Sequence, residues 1–295
     1  MRYSVIIPVY NRPDEVDELL QSLTQQSFKD FEVIVVEDGS SIPCKPVTEK
    51  YQELLDVHYY DKPNSGPGQT RNYGVERSKG EYLIILDSDC ILPEGYFLAV
   101  EEELQHEAAD AFGGPDRAHE SFTNIQKAIN YSMTSFFTTG GIRGGKKKMD
   151  KFYPRSFNMG VRQEVYQALG GFSRMRFGED IDFSIRIFKG GYTCRLFPGA
   201  WVYHKRRTDF RKFFKQVHNS GIARINLYKK YPESLKLVHL LPAAFTLGVA
   251  IFLLGTPFCP YSLLPIALYA LLVCMDSTIR NRSPVSYTHL TLPTS

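Results

Sequence analysis

Short apolar runs alternate with amphipathic segments through the first part of this chain. Tyr3–Val9 reads as a strand, and Pro13 suits the first position of a following helix, where its missing N–H costs nothing. Val16, Leu19, Leu20 and Leu23 then repeat at helical spacing, the stripe of a helix lying on a sheet. The pattern continues with a strand at 31–36, a helix at 47–55, a strand at 57–60 and a helix at 70–78. Residues 82–86 are apolar at every position. Leu83 and Ile85 fall on one face and Ile84 and Leu86 on the other, the pattern of a parallel strand covered on both sides. Strand and helix alternating with such short connections predict an α/β fold, a doubly wound and mostly parallel sheet with right-handed crossovers.

Downstream the pattern turns mixed, with a short strand at 111–115 and an aromatic-rich helix at 121–137. A further amphipathic helix, carrying Ile181, Ile185 and Phe188, opens after Gly178 with Glu179 and Asp180. Two apolar stretches follow, 237–254 and 260–275. At ~1.5 Å per residue each is near the shortest helix that crosses ~30 Å of hydrocarbon. Lys229, Lys230 and Lys236 precede the first and would keep everything upstream in the cytoplasm. Membrane association is the expectation, with a buried helical hairpin or a re-entrant pair as the alternatives. The domain expectation is a catalytic domain at 1–228 and a membrane-associated apolar segment at 229–282. Residues 283–295 change character abruptly and resemble a translated adaptor tail, so the natural chain is expected to continue past 282 with other residues. The apolar run near the start covers only 5–9, too short for a signal peptide.

Composition narrows the classes. A chain of 295 residues, 43% hydrophobic and 23% charged, fits a folded domain of ~200–250 residues plus an appendage. A net charge of +3 does not by itself imply a nucleic-acid partner. Five widely spaced cysteines without a Cys-x-x-Cys pair read as reduced thiols in a cytosolic setting, with no zinc site.

Candidate chemistry lies at the strand ends. Tyr10-Asn11, Glu37-Asp38 and Asp87-Ser88-Asp89 each close a predicted strand, and ligands of open α/β sheets bind at that edge. Asp87 and Asp89 arrive together beside the crevice, and two hard oxygen donors suit a divalent cation that also grips a diphosphate. A polar turn in which Asp89 only caps the next segment is the alternative. The segment 140–148 (Gly-Gly-Ile-Arg-Gly-Gly-Lys-Lys-Lys) nearly spells a phosphate-cradling loop. Lys147 stands at the hydroxyl position, and no clean strand precedes it, so that motif is incomplete. A solvated loop, or one closing over an anionic substrate, remains.

Five segments in order carry a resemblance: residues 4–11 (Ser-Val-Ile-Ile-Pro-Val-Tyr-Asn), 35–40 (Val-Val-Glu-Asp-Gly-Ser), 64–74, Asp87-Ser88-Asp89, and 177–183 (Phe-Gly-Glu-Asp-Ile-Asp-Phe). Together they resemble the inverting glycosyltransferases of family 2, with the Rossmann-like GT-A fold, in a bacterial membrane-associated member. The resemblance covers residues 3 to about 220. It implies that Pro8, Val9 and Tyr10 lie against the nucleobase and ribose, that Asp38 accepts a hydrogen bond from a uracil-like base, and that Arg71 sits near base and diphosphate. It places Asp87 and Ser88 toward the nucleotide sugar, Asp87 and Asp89 on a divalent metal (Mn2+ or Mg2+), and His204 as a further metal or diphosphate ligand. It assigns the general base to Asp180, with Glu179 holding the acceptor hydroxyl or orienting the base, and leaves Asp182 as a structural residue. Capping alone would also explain carboxylates at a helix start, and a lone His after an aromatic strand is often only a satisfied polar residue.

The implied activity is metal-dependent, inverting transfer from a nucleotide sugar, UDP-linked by preference, to a glycan or lipid-linked acceptor. The implied setting is cell-surface polysaccharide assembly at the cytoplasmic face of the inner membrane. Processive members often carry Gln-x-x-Arg-Trp beyond this point, whereas here Gln216 leads only to Arg224 and no Trp follows. That departure weighs against a polymer-extruding synthase, which stays an alternative. A sugar-1-phosphate nucleotidyltransferase would open with a glycine-rich basic loop where this chain has Tyr-Asn-Arg-Pro. A non-catalytic binding module would be expected to lose Asp180 or the acidic pair.

Overall fold

The computed structural model describes residues 1–117, 123–139, 152–205 and 209–281. The basic loop at 140–148, the first residues of the expected aromatic helix and the tail at 283–295 lie outside the described residues. The chain divides into two compact units, residues 1–119 with 149–205, and 120–148 with 206–295.

In the first unit, β1 (Tyr3–Val9), α1 (Pro13–Thr24), β2 (Phe31–Asp38), α2 (Lys45–Glu49), β3 (Val57–Lys62), α3 (Pro67–Val75) and β4 (Tyr82–Leu86) alternate as the pattern predicts. There follow β5 (Cys90–Ile91), α4 (Tyr96–His106), β6 (Ala111–Gly113) and β7 (Asp116–Arg117). The chain then contributes α5 (Asn124–Thr134) and α6 (Phe136–Thr139) to the second unit. It returns with β8 (Asn158–Arg162), α7 (Gln163–Ala168), α8 (Glu179–Lys189), β9 (Cys194–Leu196) and β10 (Val202–His204).

Seven strands form one mixed sheet in the order β3-β2-β1-β4-β8-β6-β9. The first four pair in parallel, while β8 runs antiparallel to both neighbours. Both faces are covered, because alternate residues of each strand enter different cores. Val5, Ile7, Ile84 and Leu86 pack with Leu19, Leu23 and Phe97 from α1 and α4. Ile6, Leu83 and Ile85 pack with Val75, Tyr166, Phe183 and Ile187 from α3, α7 and α8. Burying a Leu or Ile fully is worth about 1.5–3 kcal/mol, so a slip of one residue in β4, which exchanges its two faces, is strongly disfavoured.

Three elements depart from the periodicity. The helix expected at 47–55 shrinks to α2, after which turns carry the chain to buried Leu55. Helix α3 starts at Pro67, earlier than the expected 70, because proline fits a first turn and Gly66 before it adopts φ 87°. Strand β8 has little apolar signal. Its Gly160 is dictated by the neighbour strand: a Cβ there would lie 2.1 Å from the Phe112 ring.

A second sheet, β5-β10-β7, pairs His204 with Cys90 and so brings His204 beside the residue that follows Asp89.

The second unit contains α5, α6, α9 (Phe210–Lys230), α10 (Leu241–Gly255) and α11 (Leu264–Asn281). Tyr131 and Ser135 donate to Asp276 at 2.7 and 2.8 Å, which satisfies a carboxylate that follows the apolar run of α11. The stretches Leu237–Gly255 and Tyr261–Ile279 are long and apolar enough to cross a membrane, and they are 0% and 6% buried.

Candidate active site

The polar strand ends converge as expected, and local chemistry fixes the loops that carry them. Asn11, just past β1, takes φ 54°, a left-handed conformation that asparagine tolerates better than most residues. Its Oδ1 accepts from the backbone N–H groups of Ser41 and Ile42 at 2.8 and 3.0 Å, tying the β1 loop to the β2 loop. Pro8 is half-buried and Tyr10 is 54% exposed. The Val9 side chain belongs to the core, so that residue offers a ligand only its backbone.

Asp38, at the end of β2, is buried and already engaged. Lys62 Nζ donates to Oδ1 at 2.5 Å, Ser65 N–H to Oδ1 at 2.9 Å and Gly66 N–H to Oδ2 at 2.9 Å. Burial alone would raise its pKa, but Lys62 and these donors hold it below the ordinary value. A carboxylate offers about four lone-pair sites, and these donors occupy most of them.

At the end of β4 the two predicted acidic sites are joined. Arg71, on α3 and 3% exposed, donates Nη2 to Asp87 Oδ1 at 2.7 Å and Nη1 to Glu179 Oε1 at 3.0 Å. One planar guanidinium therefore holds both carboxylates, which places their bonded oxygens within about 8 Å of one another. Ser88 and Asp89 are buried, whereas the Asp87 side chain keeps 32% of its surface open. Asp89 accepts from Arg12 Nη1 through Oδ2, and its Oδ1 lies 3.2 Å from His204 Nε2. His204 stacks on Phe157 with ring centroids 4.8 Å apart. Burial would raise the Asp89 pKa, but His204 and Arg12 hold it well below the carboxylate range.

Glu179 and Asp180 occupy the first turn of α8, where the helix dipole favours negative charge. Their environments push them in opposite directions. Burial raises Glu179, with adjacent Asp180 adding to the effect and Arg71 only partly offsetting it. Asp180 is also desolvated, yet Arg155, whose Nε donates to Oδ2 at 2.6 Å, and the Ile181 N–H at 2.8 Å bring it below its ordinary value. Of the two adjacent carboxyls, Glu179 therefore holds a proton more readily than Asp180. Asp182 is fully buried and accepts from Arg186 at 3.0 Å, the structural role expected of it.

Asp89 and His204 bring a carboxylate and an imidazole together, while Asp87, whose Oδ1 is held by Arg71, is not part of that donor cluster among the described residues. The Asp89, Cys90 and His204 donor atoms lie within 4.8 Å of one another, and carboxylate and imidazole donors are of the kind that hold divalent cations. Cys90 is no part of that set. Its thiol donates to the Phe157 carbonyl at 3.3 Å, and burial pushes its pKa far up.

Three basic residues of the site were not singled out from sequence. Lys62 closes β3 and was legible by the same rule of polar strand ends. Arg12 stands in the Tyr-Asn-Arg-Pro run, where the helix-start signal masked it. Arg155 sits in an irregular segment with no periodic signal at all.

The sequence profile of glycosyl transferase family 2 matches residues 4–170, more than half of the chain. An uncharacterized glycosyltransferase of Haemophilus influenzae is 30% identical over 193 residues, covering 63% of this chain and 62% of that protein. The match to an uncharacterized glycosyltransferase of Rickettsia felis covers 23% of that relative, so the chain spans less than two thirds of these curated proteins. Among solved structures, Staphylococcus aureus TarS 1–349 in complex with UDP-GlcNAc aligns with a TM-score of 0.56 at 19% identity, over 97% of this chain and 89% of that one. The mannosyltransferase PcManGT of Pyrobaculum calidifontis, in complex with GDP-Man and Mn2+, aligns with a TM-score of 0.60 at 17% identity, over 98% and 83%. At such identities the likeness shows the fold, a GT-A-type mixed sheet flanked by helices.

Proposed function

The chain belongs to glycosyl transferase family 2, and from that premise we propose that it moves a sugar from a nucleotide-sugar donor to a lipid-linked glycan acceptor, inverting the anomeric centre, at the cytoplasmic face of the inner membrane. One observation carries the reading. Arg71 joins Asp87, at the carboxyl end of a central strand, to Glu179, next to the buried and readily ionised Asp180. In this reading the donor-side and acceptor-side carboxylates are joined through one side chain.

In this reading Asp180 takes the proton of the attacking hydroxyl. The acceptor oxygen bonds to the anomeric carbon as the sugar–phosphate bond breaks, and the bonding pair leaves with the nucleoside diphosphate. A single displacement inverts the centre. General-base assistance of this kind is worth typically ~10²–10⁴ in rate. Glu179, fixed by Arg71, orients the hydroxyl. Tyr10 offers an exposed ring to the nucleobase, Pro8 and the Val9 backbone flank it, and Asp38 uses its remaining lone pair on the base edge. Held by Asp87, Asp89 and His204, Mn2+ or Mg2+ would supply Lewis-acid stabilisation of charge on the departing diphosphate.

Support for a UDP-linked donor comes from the solved TarS complex, and support for Mn2+ from the PcManGT complex. The exposed apolar helices, preceded by Lys229, Lys230 and Lys236, support a membrane setting and hence a lipid-carried acceptor in cell-surface glycan assembly. The test is nucleoside diphosphate release by membranes carrying the chain, given a panel of nucleotide sugars with Mn2+. Release with one donor, increased by added lipid-linked acceptor, is the expected result. No release above membranes lacking the chain would contradict it.

A further inference from the structure

Helix α9 carries a feature that sugar transfer does not use. Its residues Phe210, Phe214, Val217, Gly221, Ile225 and Tyr228 recur every three or four positions, so they lie along one side of the helix. That side is bare: Phe214 is 73% exposed, Val217 and Ile225 are each 53%, and Tyr228 is 44%. The residues that α9 buries, Ala223 and Leu227, lie on a different side. The helix contains Arg211, Lys212, Lys215, Arg224, Lys229 and Lys230, and its 21 residues include no Asp or Glu.

We propose that α9 lies in the headgroup layer of an anionic bilayer, with its apolar side dipped toward the acyl chains and its cations among lipid phosphates. The proposal rests on the membrane association argued above and adds a second contact to it. A helix with this many cations does not cross hydrocarbon, where each costs heavily, but an apolar stripe flanked by Lys and Arg is the pattern of an interfacial helix. Charge complementarity selects anionic lipid, which attracts Lys and Arg close to its surface. Continuity selects a membrane over a soluble partner. Only residues 231–236 separate Lys230 from the apolar stretch that starts at Leu237. Such a connection reaches at most about 24 Å, so the end of α9 stays near the point where that stretch would enter the bilayer.

The chain has a single tryptophan, Trp201, which permits a direct test on the intact chain. In a Trp201→Phe background, single tryptophans are placed by Phe214→Trp, Val217→Trp or Tyr228→Trp on the apolar side. Lys212→Trp or Asn219→Trp places one on the opposite side, and Leu247→Trp places one within α10. Each protein is reconstituted into vesicles of phosphatidylcholine with or without phosphatidylglycerol, using lipids brominated near the headgroup end of the acyl chain. The expected result is about twofold or greater quenching at 214, 217 and 228 with phosphatidylglycerol present, weaker quenching without it, and little at 212 and 219. Quenching at 247 but not at 214, 217 and 228 would overturn the interfacial helix and leave membrane association standing. A blue-shifted, unquenched tryptophan at 214 would also overturn it, by assigning the stripe to a protein partner or second copy. Equal quenching on both sides, or equal quenching in both lipids, would contradict the orientation or the charge selection. Absence of quenching at 247 as well would remove the membrane association on which the proposal rests.

Discussion

Arg155 donates its Nε to Asp180 Oδ2 at 2.6 Å, so the carboxylate proposed as general base carries its own counter-charge. Two of its roughly four lone-pair sites are then taken, one by Arg155 and one by the Ile181 N–H. The others remain for an incoming proton. The pair explains how a desolvated carboxylate still titrates below its ordinary value.

A pH profile tests this pairing. A base works deprotonated, so the rate falls as pH drops through its pKa, and a depressed pKa puts that acid limb below the ordinary ~3.9 of Asp. Arg155→Gln removes the main lowering influence and moves the limb of kcat/KM to higher pH. An unmoved limb would dissociate Arg155 from the base. The same sign governs stability. The folded pKa lies below the unfolded one, so Asp180's contribution is fully present above the unfolded value and is lost as pH falls through the folded one.

Arg71 is the structural joint of the site. Replacing it with Met leaves Asp87 and buried Glu179 without their shared cation, and breaking a buried pair from one side typically costs about 3–5 kcal/mol. Thermal unfolding of the solubilised chain should show a large drop for Arg71→Met and partial recovery when Glu179→Gln is added. Arg71→Lys should rescue poorly, because an ammonium lacks the planar fork that spans both carboxylates. Full stability in Arg71→Met would mean the bridge contributes little.

Metal affinity separates the proposed ligands from their neighbour. Asp89→Asn and His204→Ala should each weaken Mn2+ binding, followed by electron paramagnetic resonance, by at least about tenfold. Cys90→Ser should leave it unchanged, since that thiol is committed to the Phe157 carbonyl. Loss of affinity in the Cys90 variant would place sulfur in the coordination sphere.

The parallel half of the fold was legible because each of β1, β2 and β4 is apolar on both faces and ends in polar residues. Residues 82–86 announce their own burial. The antiparallel half was not, since Asn158–Arg162 owes its place to strand pairing and to the Phe112 ring against Gly160, neither of which leaves a period in the sequence. The acidic residues of the site stood out at strand and helix ends. Of their counter-charges only Arg71 did: Arg12 reaches Asp89 from 77 positions away and Arg155 reaches Asp180 across 25, and the Glu179 partner of Arg71 lies 108 positions on. Long side chains find partners through the fold, and nothing local in the sequence records that choice.

The most direct measurement of the central claim compares Asp180→Asn with the unaltered chain in two assays, nucleotide-sugar binding and glycosyl transfer with Mn2+ present. Donor binding should persist in the variant while transfer falls by about 10²–10⁴. Transfer at an undiminished rate would remove Asp180 from the chemistry, and loss of donor binding together with transfer would make it a binding or structural residue instead.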